Sequence, residues 1–154
     1  MSSASTVRTI LVPVDGSENA HRAASFAVDL AHRYSAKLVA IHALELNQSL
    51  VSLGVYGAAY PQNIDKILEA AGKEAAPWFD RIKKEADALN VRMTSAVVHA
   101  PLSLVGEIVH YAEENNADLI VIGSKGRTGF KKLVMGSVSS GVVTYAPCPV
   151  LVVK

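Results

Sequence analysis

The sequence is poor in the groups that most often announce a chemistry. One cysteine, Cys148, stands among 154 residues, which excludes an intrachain disulfide and any cysteine-rich metal site. The five tyrosines, three phenylalanines and single tryptophan are scattered, with no stacking platform of the kind that reads single-stranded nucleic acid. Fifteen basic residues balance fourteen acidic ones, for a net charge of +1. No global field therefore points to nucleic acid or to an anionic membrane. No apolar run approaches the roughly 20 residues needed to span a bilayer. The opening MSSASTVRT lacks the apolar stretch of a secretory signal, so a cytoplasmic location is expected. The histidines, His21, His32, His42, His99 and His110, form neither HxH nor HExxH, so no metal site is expected. A GxSxG nucleophile elbow is missing as well.

What is present is an alternation of short apolar runs and amphipathic stretches. Half of the chain is apolar and 19% is charged, enough apolar content for a folded core. A β-branched run, Val7 to Asp15, is followed by the turn cluster DGSEN. Ala20, Ala23, Ala24, Ala27, Leu30, Ala31 and Tyr34 then recur at helical spacing, with Ser17 or Asn19 as the cap. Lys37 to Leu44 reads as a second strand, and residues 46–62 form an uncharged connection with two glycines. Such a long connection tends to be functional or mobile. A long helix reads from Ile64 to Leu89 with Pro77 inside it, where a kink or break is expected. Val91 to His99 reads as a strand, and Leu102 to Ala112 as a helix with Pro101 in its first turn, a favoured place for proline. Asp118 to Ser124 is a strand, Ser137 to Ala146 a short helix, and PVLVVK a last strand.

Continuous apolar strands separated by helices predict one α/β domain: a single doubly wound five-stranded parallel sheet with helices on both faces. In such sheets ligands sit beyond the carboxyl ends of the strands, where strand order reverses. Strands one and four flank that point, and they end in PVDGS and GSKG.

The densest local feature is GSKGRTGFKKLVMGSVSS, punctuated by Gly123, Gly126, Gly129 and Gly136. It leaves a strand and enters a helix. Glycine permits close backbone approach, successive N–H groups in such turns form anion cavities, and the helix start adds further donors. Ser137 and Ser139 would add hydroxyls. The loop is neither a P-loop nor a GxGxxG dinucleotide fingerprint. Its glycines, taken alone, fit a phosphate site and a plain turn equally.

The spacing resembles the universal stress protein family, in its ATP-binding branch. That branch carries a glycine, two residues, a glycine, nine residues, then glycine and serine or threonine. Here these are Gly123, Gly126, and Gly136 with Ser137. ILVPVDGS near the start and APCPVLVVK at the end also look like this family's first and last strands, so the resemblance covers essentially the whole chain. It implies a Rossmann-like, adenine nucleotide α-hydrolase-like fold with ATP between strands one and four. Pro13, Val14 and Asp15 would meet the adenosine, Ala43 would line the adenine pocket, and Ile122 would pack beside the nucleotide. Gly123, Gly126, Gly136 and Ser137 would cradle ribose and phosphates, and Val138 and Ser139 would supply donors from the helix start. Lys125 and Arg127 are placed to neutralise phosphate, better than Lys131 and Lys132. For Asp15 the alternative is a carboxylate that caps the following helix, and for Ala43 and Ile122 it is simple core packing. Gly141 inside the last helix departs from the family pattern and weakens that helix by about 1 kcal/mol against alanine.

Mg²⁺ would join ATP through phosphate oxygens and water. The cradle lacks a visible base to activate water. A regulatory role, with ATP as effector, is therefore expected ahead of slow hydrolysis or phosphotransfer. The apolar last strand at a sheet edge invites pairing with another chain, and the resemblance implies a homodimer through it.

Overall fold

The computed structural model describes residues 6–45, 60–126 and 135–154, side chains of 60–63 excepted. The elements run β1 (Thr9–Pro13), α1 (Glu18–Tyr34), β2 (Lys37–Glu45), α2 (Tyr60–Ala88), β3 (Met93–Ala100), α3 (Leu104–Glu114), β4 (Leu119–Gly123), α4 (Ser137–Tyr145) and β5 (Val150–Val153). All pairings are parallel, in the order β3-β2-β1-β4-β5. The order reverses between β1 and β4, as the alternating pattern predicts, and β5 is an edge.

The central strands β1 and β4 and most of β2 bury both faces, which is why their runs are apolar rather than alternating, whereas the edge strand β3 exposes Thr94 and Ser95. Ile10 and Val12 of β1 and Leu38 and Ala40 of β2 pack under α1 and α2 with Ala23, Ala24, Ala27 and Ile82. Leu11, Val39, Ile41, Ile120 and Ile122 face α3 and α4 with Ile108, Ala112 and Val142. Burial of each large aliphatic side chain stabilises the fold by about 1.5–3 kcal/mol. The small residues on α1 let that helix lie close to the sheet. Below it, the amino ends of β1 and β4 are joined through Asp118, whose Oδ2 accepts from the N–H groups of Arg8 (2.8 Å) and Thr9 (2.9 Å).

Several local expectations change. Ser17, not Asn19, caps α1, its Oγ accepting from Ala20 N–H at 3.1 Å. Helix α2 runs unbroken through Pro77. Pro101 lies before α3 rather than in its first turn, because Ser103 takes the cap and accepts from Gly106 N–H at 2.9 Å. The connection that the sequence puts at 46–62 ends earlier, since α2 starts at Tyr60; residues 46–59 lie outside the described residues. Gly141, a poor helix former, has a packing reason. A Cβ there would lie 2.6 Å from Val105 Cγ2, so α4 approaches α3 along its glycine.

Gly141→Ala gains about 1 kcal/mol of helix propensity but meets an overpacking cost of about 1–3 kcal/mol. Urea denaturation should show a net loss of stability, and a smaller loss when Val105→Ala is already present. His21 is buried on α1. Burial, and then the Arg81 charge, holds its imidazole below the ordinary 6.5, against the pull of Glu18 and Glu85. The native state therefore keeps His21 neutral where the unfolded chain takes up a proton. Its contribution is full above pH 6.5 and is lost as pH falls below it. Unfolding midpoints between pH 8 and 5 (roughly, bracketing that value) should decline less in His21→Gln.

Candidate functional site

At the carboxyl ends of the strands, beside the reversal of strand order, lies a cleft of about 420 Å³, within the range of small-molecule sites. Most of its lining comes from four places. Pro13, Val14 and Asp15 form the exit of β1; Ala43 lies toward the end of β2; Ile122, Gly123, Lys125 and Gly126 form the exit of β4; Gly136, Ser137, Val138 and Ser139 open α4. Every expected site residue within the described range lines this one cleft. Arg127, with Gly129, Lys131 and Lys132, lies outside the described residues.

Three further lining residues carry no site signal in the sequence: Ala20 of α1, and Leu104 and Ile108 of α3. Ile108 carried a helical core signal, but nothing local in the sequence shows that the start of α3 reaches over the end of β2. With Val14, Ala43 and Ile122 these side chains give the cleft an apolar wall opposite its backbone donors.

The β1 exit is tightly built. Val14 N–H donates to Ile41 O at 2.8 Å, and His42 Nδ1 donates to Val14 O at 2.9 Å. The His42 ring meets Trp78 edge-on, with centroids 5.1 Å apart. Trp78 in turn covers Gly16, whose φ is +84° and whose Cβ, if present, would lie 2.4 Å from the indole. His42 thus faces away from the cleft and supports the β1 exit from behind. Asp15 Oδ1 accepts from Ser17 N–H at 2.9 Å. The carboxylate therefore holds the turn before α1, whose cap is Ser17 rather than Asp15, and still lines the cleft.

The β4 exit is closed on itself through Ser124, which is buried. Its carbonyl accepts from Gly136 N–H (2.6 Å) and from Ser139 Oγ (2.9 Å). The two ends of the glycine loop therefore meet at one peptide. This corrects the expectation for the Ser139 hydroxyl: its proton is directed to the Ser124 and Gly136 carbonyls, leaving its backbone N–H for the cleft. The first-turn N–H groups of Ser137, Val138 and Ser139 have no intrahelical acceptor, as at any α-helix start, and carry the positive end of the helix dipole. Gly136 is the cap residue and makes no side-chain cap bond. Asn19, set aside as a helix cap, has its own task. Its Oδ1 accepts from Lys125 N–H at 2.9 Å.

The fold and its cleft define the class: a doubly wound α/β domain with its concave site at the reversal of strand order. Residues 6–154 match the Universal stress protein family. The chain is 34% identical over 147 residues to a universal stress protein of Methanocaldococcus jannaschii, covering 96% of this chain and 82% of the relative. It is similar in structure to the universal stress protein UspA of Lactobacillus plantarum, with a TM-score of 0.74 at 27% identity over 96% of this chain and 98% of the other. A universal stress protein of Archaeoglobus fulgidus, solved in complex with dAMP, shares the fold with a TM-score of 0.66 at 24% identity over 97% and 99% of the two chains. The chain belongs to the universal stress protein family.

The Asn19 bridge supplies a test. Asn19→Ala removes one hydrogen bond, worth about 1 kcal/mol, and frees the first peptide of the glycine loop. Hydrogen exchange at the Lys125 amide should accelerate, with the core amides of β1 slowed or quickened only as far as global stability changes.

Proposed function

We propose that this protein binds ATP in the cleft between β1 and β4 and holds it as an effector rather than turning it over. The observation that carries this reading is the convergence just described. Gly123, Gly126, Gly136 and Ser137, set at the family's spacing, line one cleft together with Pro13 to Asp15. Adenine would lie against the apolar wall of Val14, Ala43 and Ile122, with Asp15 toward the ribose or the adenine edge. The phosphates would take the N–H groups of Gly126, Ser137, Val138 and Ser139, with Lys125 and Arg127 balancing charge. The family relative solved with dAMP supports an adenine nucleotide as the ligand class. Backbone donors at a helix start suit phosphate without further groups, and Mg²⁺ would be held through phosphate oxygens and water.

Holding is favoured over consumption by the state of the carboxylate. Asp15 is the carboxylate lining the described cleft, and its Oδ1 is engaged by the turn that starts α1. Hydrolysis needs a residue that positions the attacking water.

Mass spectrometry of small molecules released from freshly purified protein should find ATP, and multiple-turnover release of ADP would overturn the effector reading. Added ATP at a hundred times its dissociation constant should stabilise the fold by about 2.7 kcal/mol. Gly126→Asp places a carboxylate where even a Cβ would meet Asp15 Oδ2 at 2.8 Å, and should abolish that gain.

The same reading includes a homodimer through β5. That strand is an edge, and Val150, Leu151, Val152 and Val153 are each only half-buried. Such an edge offers unpaired backbone groups and apolar surface together. Light scattering at micromolar concentration should give twice the chain mass, and Val152→Lys should give the monomer.

A further inference from the structure

The opposite end of the sheet holds a second cavity, of about 500 Å³, which the nucleotide reading does not use. It opens at the amino ends of β1, β2 and β3, between the end of α1 and the end of α2. Arg8, Lys37 and Arg92 line it. They occupy neighbouring strand starts: Lys37 N–H donates to Arg8 O at 2.9 Å, and Leu38 N–H to Arg92 O at 2.8 Å. Adjacent strands lie about 4.8 Å apart, and all three residues line this one cavity. No carboxylate lines the cavity. Among the described residues, none of the three cations forms an ion pair.

Helix polarity is the competing account of these charges. Both α1 and α2 end here, and cations are favoured at helix carboxyl ends. The two ends bring about half a negative charge each, together roughly one. Three full positive charges stand against them, so an excess of about two remains after the dipoles are answered. Leu89 and Val91 give the cavity an apolar side, and Asn90 adds a polar group. Asn90 is held in the left-handed region at φ 56°, and Val91 N–H is tied back to Ala86 O at 2.8 Å. The wall is therefore a fixed turn rather than a free tail of α2.

We propose that this cavity is a second ligand site, taking a small organic polyanion whose charged groups meet Arg8, Lys37 and Arg92 and whose body lies against Leu89 and Val91. Phosphate esters and polycarboxylates share this chemistry, since guanidinium forks pair with either oxyanion. The site is separate from the cleft at the other end of the strands and does not depend on what that cleft holds.

The test is a titration of the full chain, followed by amide resonances, with citrate in one arm and pyrophosphate in the other, at constant ionic strength. Saturable shifts at Arg8, Lys37, Asn90 and Arg92 are expected. Citrate alone would assign a polycarboxylate, pyrophosphate alone a phosphate ester, and both a site for either. The exposed pair Lys37→Gln with Arg92→Gln should weaken binding about tenfold or more, as the loss of two charges near the ligand requires. The ATP response of the Gly123 and Ser137 amides should be unchanged in that variant. Shifts that merely track salt in the unaltered protein, or binding undiminished in the double variant, would overturn the proposal.

Discussion

The cleft end of the sheet depends on how closely the exit of β4 passes the start of α1. A side chain at Gly123 would begin 2.5 Å from Asn19 Oδ1 and 3.1 Å from the Asn19 carbonyl. Glycine alone allows that approach, and the approach is what brings Asn19 within reach of Lys125 N–H. One residue earlier, Ser124 N–H donates to Val153 O at 2.8 Å, while its carbonyl receives Gly136. The loop thus leaves β4 pinned to α1 and β5, and returns to the same peptide it left. Its ends are fixed before any ligand arrives, so the N–H groups facing the cleft need little reordering, which is where binding energy is otherwise lost.

A matching support stands behind β1, on the face that α1 and α2 share. Both backbone polar groups of Val14 are engaged from β2, the N–H by Ile41 and the carbonyl by His42. Trp78 packs across His42 and over Gly16. Helix α2 therefore reaches the strand exit that bears Asp15 without entering the cleft. Substitution in α2 would be felt at Asp15 through a short chain of packed, hydrogen-bonded groups rather than through any contact with a ligand.

The architecture was legible because the central strands are continuous apolar runs and the long helices have one apolar face, two periods that do not mimic each other. The reversal point was legible for the same reason, since parallel strands with helical crossovers leave few arrangements. The glycines at the β4 exit left a mark in the sequence, because close backbone approach restricts the residue type, but alone they fit a plain turn equally, and the rest of the lining came from the family resemblance. Positions held by long-range contacts left no such mark. Ser17 and Asn19 are interchangeable as caps by local chemistry, and only the passage of β4 near α1 gives Asn19 its other role. Ser139 reads as a free hydroxyl until Ser124 is brought beside it. Gly141 reads as a defect until Val105 is seen 2.6 Å from where its Cβ would be.

The kind of donor in the cleft bears on what binding there can accomplish. Backbone N–H groups at a helix start meet phosphate charge that is already present in the ground state. Interactions equally strong in ground and transition state lower the dissociation constant without raising turnover. Acceleration would need a group whose hold strengthens as the bond breaks, and a carboxylate committed to the turn at Ser17 is poorly placed to supply it. What uniform binding does deliver is stability: a ligand that binds only the folded state raises the unfolding free energy by linkage. The rigid loop ends and the support from α2 act in the same direction, since both lower the cost of ordering the site. If the cleft holds a nucleotide as proposed, its construction would suit a protein whose output is the difference between its empty and occupied states.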